Sequence, residues 1–156
     1  MMKNIKIRNV TNKDLAEFLE IYVSAYRDLE DYSYKKSREI KRYFKWLLKR
    51  DLEGFFLIET DNKVLGFVAS DSNWYSKFEN SYVLEIHELI VRKEFQNKGF
   101  GKKLLERVLL YGKEKNLKIG ELFVGKENKK AILFYIKNGF VKKETYKKWI
   151  RMTRSI

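Results

Sequence analysis

Six consecutive residues, Gln96-Asn97-Lys98-Gly99-Phe100-Gly101, combine two features that suit an anion. Gly99 and Gly101 let the backbone turn tightly and present its N–H groups without side-chain obstruction. The helix expected from Gly101 onward puts the partial positive charge of its first turn at the same point. Lys98, Lys102 and Lys103 crowd that end, where cations are unfavourable unless something anionic sits among them. The pattern reads as a phosphate-binding loop. It is neither of two better-known kinds: G-x-x-x-x-G-K-[ST] is absent, and a dinucleotide fingerprint needs a third small residue where Leu104 stands.

Proton transfer has few candidates. With no cysteine, thiol nucleophiles, thiolate metal sites and disulfides are excluded, and His87 is the only histidine. Its imidazole has an ordinary pKa of about 6.5, suited to base work at neutral pH. On the strand expected over residues 82–91, alternation sets Glu85, His87, Leu89 and Val91 on one face and Glu88 on the other, unless a bulge shifts the register. Tyr135, a phenol with an ordinary pKa of about 10, stays protonated at neutral pH and can act as an acid. Its ring is equally suited to packing beside Ile132 and Ile136.

The elements that must hold these residues follow from composition and periodicity. The 156 residues contain no proline, no Gly/Ser-rich linker and no repeat, so residues 1–156 read as one domain. A chain of this length buries roughly 70% of its unfolded surface. A hydrophobic fraction of 44% with 15% aromatics predicts a packed core. No stretch approaches about 18 uncharged apolar residues, and residues 1–10 lack the apolar run of a signal peptide. No membrane association and a cytoplasmic location are therefore expected. The net charge of +13 fits a nucleic-acid partner, an anionic ligand or a lysine-rich surface; the lysines are scattered rather than blocked. The 35% charged content without cysteine resembles the surface economy of thermophile proteins.

Residues 5–8 alternate as a first strand. Thr11 and Asp14 form a capping-box pattern before a helix bearing Leu15, Phe18, Leu19 and Tyr22. A second helix is predicted over residues 35–50, then strands over 54–60 and 63–70 joined by Asp61-Asn62. Residues 71–81 read as a loop. A helix over 101–115, a strand over 117–124, a short helix over 129–138 and two ending strands, around 142–146 and 149–152, complete an α/β pattern.

Gln96-x-x-Gly99-x-Gly101 at a strand-to-helix junction, preceded by Leu89-Ile90-Val91, resembles the acetyl-CoA motif of the GNAT acetyltransferase superfamily. Asn128, Ala131, Phe134-Tyr135 and Asn138-Gly139-Phe140 resemble its second motif, in the right order. Ile5, Arg8, Asp14 and Met152 extend the likeness to nearly the whole chain. The resemblance implies a mixed, mostly antiparallel sheet of six to seven strands with helices on both faces. The sheet would splay between the strands ending at Val91 and Val124, with acetyl-CoA in the opening as co-substrate and no metal. Backbone groups of Leu89, Ile90 and Val91 would pair with the pantetheine arm. N–H groups of Gln96, Asn97, Lys98, Gly99, Phe100 and Gly101 would hold the pyrophosphate, helped by Lys102, and Asn128 would lie near the thioester.

Within that resemblance, acetyl-CoA donates its acetyl group to a primary amine by direct attack in a ternary complex. A lysine-like ammonium costs roughly 4–5 kcal/mol to deprotonate at pH 7, so a base is needed, and an acid should protonate the departing thiolate. Tyr135 matches the family's acid. Glu85 or His87 is the expected base, alone or through a shared water, with Glu88 in their place if a bulge intervenes. Ribosomal-protein N-terminal acetylases carry a glutamate where this chain has Phe123, so that subgroup's substrate does not transfer. The acceptor is a small-molecule or peptide amine; the alternatives are a nucleic-acid-linked amine such as aminoacyl-tRNA, or a non-catalytic acetyl-CoA-binding or RNA-binding module. Residues 22–34 and the 71–81 loop should shape its site, with Asp71 and Glu79 as exposed acids favouring a cation. Composition leaves the oligomeric state open, a dimer included.

Overall fold

The computed structural model describes residues 4–61 and 63–156. Its first strand, β1 (Lys6–Asn9), leads into a 3-10 turn, Asn12–Asp14, that Thr11 and Asp14 close with a capping box. The Asp14 carboxylate accepts from the Thr11 backbone N–H at 2.8 Å and holds the Arg8 guanidinium at 2.9 and 3.0 Å. Helices α1 (Leu15–Ala25) and α2 (Ser37–Arg50) then turn Phe18, Ile21, Tyr22, Ile40, Phe44 and Leu47 inward. These stripes recur at helical spacing, so each helix buries one face. They pack on Phe55, Leu57, Phe67 and Ile90 of the sheet.

The opposite face carries α3 (Phe100–Glu114) and α4 (Lys129–Lys137), whose Leu104, Leu105, Val108, Ile132 and Tyr135 meet Ile58, Leu65, Leu84, Ile86, Leu122 and Met152. Between the two layers the described residues form a seven-stranded sheet. Its further members are β2 (Phe55–Thr60), β3 (Lys63–Ser76), β4 (Ser81–Val91), β5 (Ile119–Gly125), β6 (Val141–Tyr146) and β7 (Trp149–Ser155). The order is β1-β2-β3-β4-β5-β7-β6, and only the β4–β5 pair is parallel. This is the mixed, mostly antiparallel α/β sheet expected. No helix of the described residues is long and apolar enough to cross a membrane.

Two departures from the sequence expectation matter. Residues 71–81, predicted as a loop, are mostly strand. Trp74, Tyr75 and Ser76 pair with Val83, Tyr82 and Ser81, and the Tyr75 and Tyr82 rings meet edge-on at 5.4 Å. A register shift between Asp71 and Trp74 breaks the alternation that would have disclosed this. The hairpin at Asp61 turns through a left-handed residue (φ 45°), and Asn62 lies outside the described residues.

The second departure is in β4. Ala69 faces Glu88 but Ser70 faces Ile86, so His87 is an extra residue. That bulge resets the alternation. Leu89 and Val91 share the α3–α4 face with Leu84 and Ile86, while Ile90 joins the α1–α2 core. The predicted common face of Glu85, His87, Leu89 and Val91 is therefore wrong, because one inserted residue separates its two halves.

β4 and β5 pair only through Leu84–Gly120, Glu85–Glu121 and Ile86–Leu122. Beyond Ile86 the strands have no rungs in common, and the sheet opens.

Candidate active site

The cleft begins where the sheet opens. Backbone geometry at its mouth is dictated by the 96–101 loop. Gln96 Nε2 donates to the Val91 carbonyl at 3.0 Å, tying the loop to the end of β4. Asn97 (φ 63°) and Gly99 (φ 90°) turn left-handed, and Gly99 is the N-cap of α3. A Cβ at position 99 would meet nothing within 4 Å, so that side of the loop is open space. The first N–H groups of α3 lack a side-chain cap and are available to an anion.

A cavity of about 490 Å³ runs from this loop along β4 to α4, lined by Leu89, Ile90, Val91, Gln96, Asn97, Gly99, Gly101, Lys102, Asn128 and Tyr135 among others. Two predicted cofactor residues do not line it. The Phe100 ring is buried against Phe95, and Lys98 lies over the Phe95 ring at 5.7 Å, so only their backbones bear on the loop. Asn128 caps α4, its Oδ1 accepting from the Ala131 N–H at 3.2 Å.

A second cavity, about 370 Å³, adjoins the first. Tyr26, Leu89, Asn128, Ala131 and Tyr135 line both. Its walls are tyrosine-rich: Tyr22, Tyr26, Tyr32, Tyr34 and Tyr43, with Trp149 and Lys148 from the start of β7 and the turn before it. Residues 22–34 were expected here; residues 71–81 were too, and they do not line it. They cross the sheet elsewhere, paired to residues 81–85 of β4.

Glu88 lies in this second cavity. Tyr43 donates to its Oε1 at 2.8 Å, and the Tyr26 hydroxyl donates to Oε2. Burial pushes the Glu88 carboxyl up to about 7, even though both tyrosine hydrogen bonds favour the carboxylate. Burial, and then the charge of Glu88, push the Tyr135 phenol well above its ordinary value. The ring of Tyr135 packs edge-on against Phe134 and Phe140, at 5.2 and 5.6 Å.

His87 and Glu85 are placed differently. The His87 ring sits between Trp46 and Trp74, both at 4.9 Å, with Nε2 at 3.0 Å from Asp71 Oδ2. Asp71, predicted exposed, is fully buried and also accepts from Arg50 Nε at 2.6 Å. Burial opposes its ionisation, but hydrogen bonds from His87 and Arg50 outweigh that and hold its carboxyl below the usual range. His87 thus forms part of the wall of the second cavity while pinned from behind.

Glu85 lines neither cavity. It is buried beside Glu121, and Oε1 has no hydrogen-bond partner. Burial, then the hydrogen bond and charge of Glu121, push its carboxyl far up, so it keeps its proton at neutral pH. Arg151 gathers Glu121, Glu79 and Glu144 at 2.6–2.7 Å. Glu79, expected as an exposed acid, is spent in that network.

Tyr26 and Tyr43 were not singled out from sequence. The tyrosine density of residues 22–43 was the available signal, but only the fold aims two of those hydroxyls at one carboxylate.

Residues 15–140 match the model of the acetyltransferase (GNAT) family. The chain is 47% identical over 156 residues to an uncharacterized N-acetyltransferase of Methanocaldococcus jannaschii, covering 100% of this chain and 69% of the relative. A crystal structure from Pyrococcus horikoshii superposes with a TM-score of 0.89 at 36% identity, covering 98% of this chain and 99% of that one. A PaiA N-acetyltransferase of Thermoplasma acidophilum, solved in complex with coenzyme A, shares the fold with a TM-score of 0.83 at 22% identity, over 98% and 99% of the two chains. With the loop, the splayed strands and the α4 motif in the family's order, this chain belongs to the GNAT family of acetyltransferases.

Proposed function

We propose that the protein transfers the acetyl group of acetyl-CoA to a primary amine by direct attack in a ternary complex, with Glu88 as base and Tyr135 as acid. The observation that carries this is the meeting of the two cavities at Tyr135 and Leu89, with Glu88 next in the strand and facing the tyrosine-rich side.

The residues present fit acetyl-CoA. The β4 edge beyond Ile86 is not paired with β5 and can take an amide-bearing arm. The open side of Gly99 and the uncapped start of α3 suit a pyrophosphate, and Lys102 stands beside them. Bound there, the thioester supplies an electrophilic carbonyl and a thiolate leaving group.

The chain's own groups handle the protons. Glu88, with a pKa of about 7, is substantially ionised at neutral pH and can accept a proton from the incoming ammonium. Tyr26 and Tyr43 fix its two oxygens. Tyr135 stays protonated at neutral pH, so its hydroxyl has a proton available for a departing thiolate. His87 serves as cavity wall, tied to Asp71. A screen for CoA release over alkylamines, amino acids, polyamines, aminoglycosides and lysine peptides, repeated with Glu88→Gln and Tyr135→Phe, tests the assignment. Full rates in both folded variants would remove it.

A further inference from the structure

The tyrosine-rich cavity is bridged. Between α1 and α2 the chain passes through a 3-10 turn, Glu30–Tyr32, and reaches across the opening to the far side of the sheet. Tyr32 Oη accepts from the Glu127 N–H at 3.1 Å, and its ring meets Trp149 edge-on at 5.2 Å. Lys148 Nζ donates to the Asp31 carbonyl and lies 5.5 Å from the Tyr32 ring centre. The other end is tied to the α1–α2 side: the Tyr34 N–H donates to Tyr22 Oη at 3.0 Å, and the Tyr34 ring lies 5.2 Å from that of Tyr43. A glycine is required for this seat. Any Cβ at position 125, at the end of β5, would lie 2.6–2.7 Å from three atoms of the Tyr32 ring.

We propose that residues 30–34 are a strap, seated on Gly125, that confines the acceptor to a primary amine on a slender carrier. The inference rests on the assignment of this cavity to the acceptor and of Glu88 to its deprotonation. With both walls joined by the strap, an amine reaches Glu88 end-on. The bridge from Tyr32 to Trp149 and Glu127 leaves a way in for an alkyl chain among the tyrosine rings, whereas the backbone surrounding a lysine on a folded protein would meet the strap.

The test compares kcat/KM for butylamine, for the N-terminus of a short lysine-free peptide and for the lysines of native lysozyme. Wild type should favour butylamine at least tenfold over both. Tyr32→Ala removes the seated ring, and Gly125→Val unseats it without deleting it. Both should narrow the butylamine-to-lysozyme ratio at least tenfold and should speed tryptic cleavage at Arg27, Lys35 and Lys36. Wild type acting on lysozyme or the peptide as well as on butylamine would overturn the proposal, as would a wild-type ratio and cleavage rate in both variants. If no amine is acetylated although acetyl-CoA still raises the melting temperature, the assigned activity fails by itself. Cleavage then decides the strap: unchanged cleavage in Gly125→Val overturns it.

Discussion

The hydroxyl of Tyr43 lies 2.8 Å from Glu88 Oε1 and 3.2 Å from the carbonyl oxygen of His87, so one side chain of α2 touches both residues of the β4 bulge. It holds the turned strand where Glu88 faces the tyrosine-rich cavity and helps to set the acidity of its carboxyl.

With Glu88 as base, kcat/KM should rise with pH through about 7 as the carboxyl loses its proton, a higher limb belonging to the amine itself. Glu88→Gln keeps the shape and should lower the rate by about 10²–10⁴-fold. Tyr43→Phe deletes a hydrogen bond that favours the carboxylate, so the lower limb should move to higher pH. A limb unmoved in Tyr43→Phe and present in Glu88→Gln would assign it to another group.

Tyr135→Phe keeps the ring between Phe134 and Phe140. Stability should change by only about 1 kcal/mol, whereas turnover should fall about 10²-fold or more. Chemical denaturation and steady-state rates on the same preparation separate the two effects. An unchanged rate would leave Tyr135 a packing residue.

Acetyl-CoA at 100 times its Kd should stabilise the fold by about 2.7 kcal/mol, visible as a rise in Tm. Gly99→Asp places a carboxylate on the open side of the loop and should abolish the rise. Gly99→Ala incurs left-handed backbone strain of about 1 kcal/mol, no less than Asp would, but carries no charge, and should keep most of the rise. Equal shifts in all three proteins would place the phosphates elsewhere.

Glu85 predicts a pH dependence of stability. Its folded pKa lies far above the ordinary 4.5, so the native state holds a proton that the unfolded chain releases. This group's contribution to stability therefore falls as pH rises above about 4.5, by up to about 1.4 kcal/mol per unit, until the folded pKa is reached. Glu85→Gln retains an N–H donor for Glu121 and should flatten the curve, gaining most over wild type at pH 8–9. Parallel urea midpoints for the two proteins between pH 5 and 9 would contradict this.

Much of this architecture was legible in the residues. Thr11 and Asp14 announced the capping box, the stripe of Leu15, Phe18 and Tyr22 announced α1, and the two glycines announced the turn into α3. What escaped was register. Bulges at His87 and near Asp71 each insert one residue, and side-chain alternation carries no marker for an insertion until partner strands are seen. A bulge in β4 was the stated condition for Glu88 to replace Glu85 or His87, and the register contains that bulge. Glu85 looked exposed to chemistry because its partners, Glu121 and Arg151, lie 36 and 66 positions away along the chain. Such long-range pairing has no local signature.

The three rungs between β4 and β5 form a narrow seam between an N-terminal half, β1 to β4, and a C-terminal half, β5 to β7. A molecule lying against Leu89 on one side and Asn128 on the other would staple the halves together. Cooperativity of unfolding is then partly a property of the liganded state. Amide protons of β5 and β7 should exchange through partial openings in the free protein, and only through global unfolding once the seam is stapled.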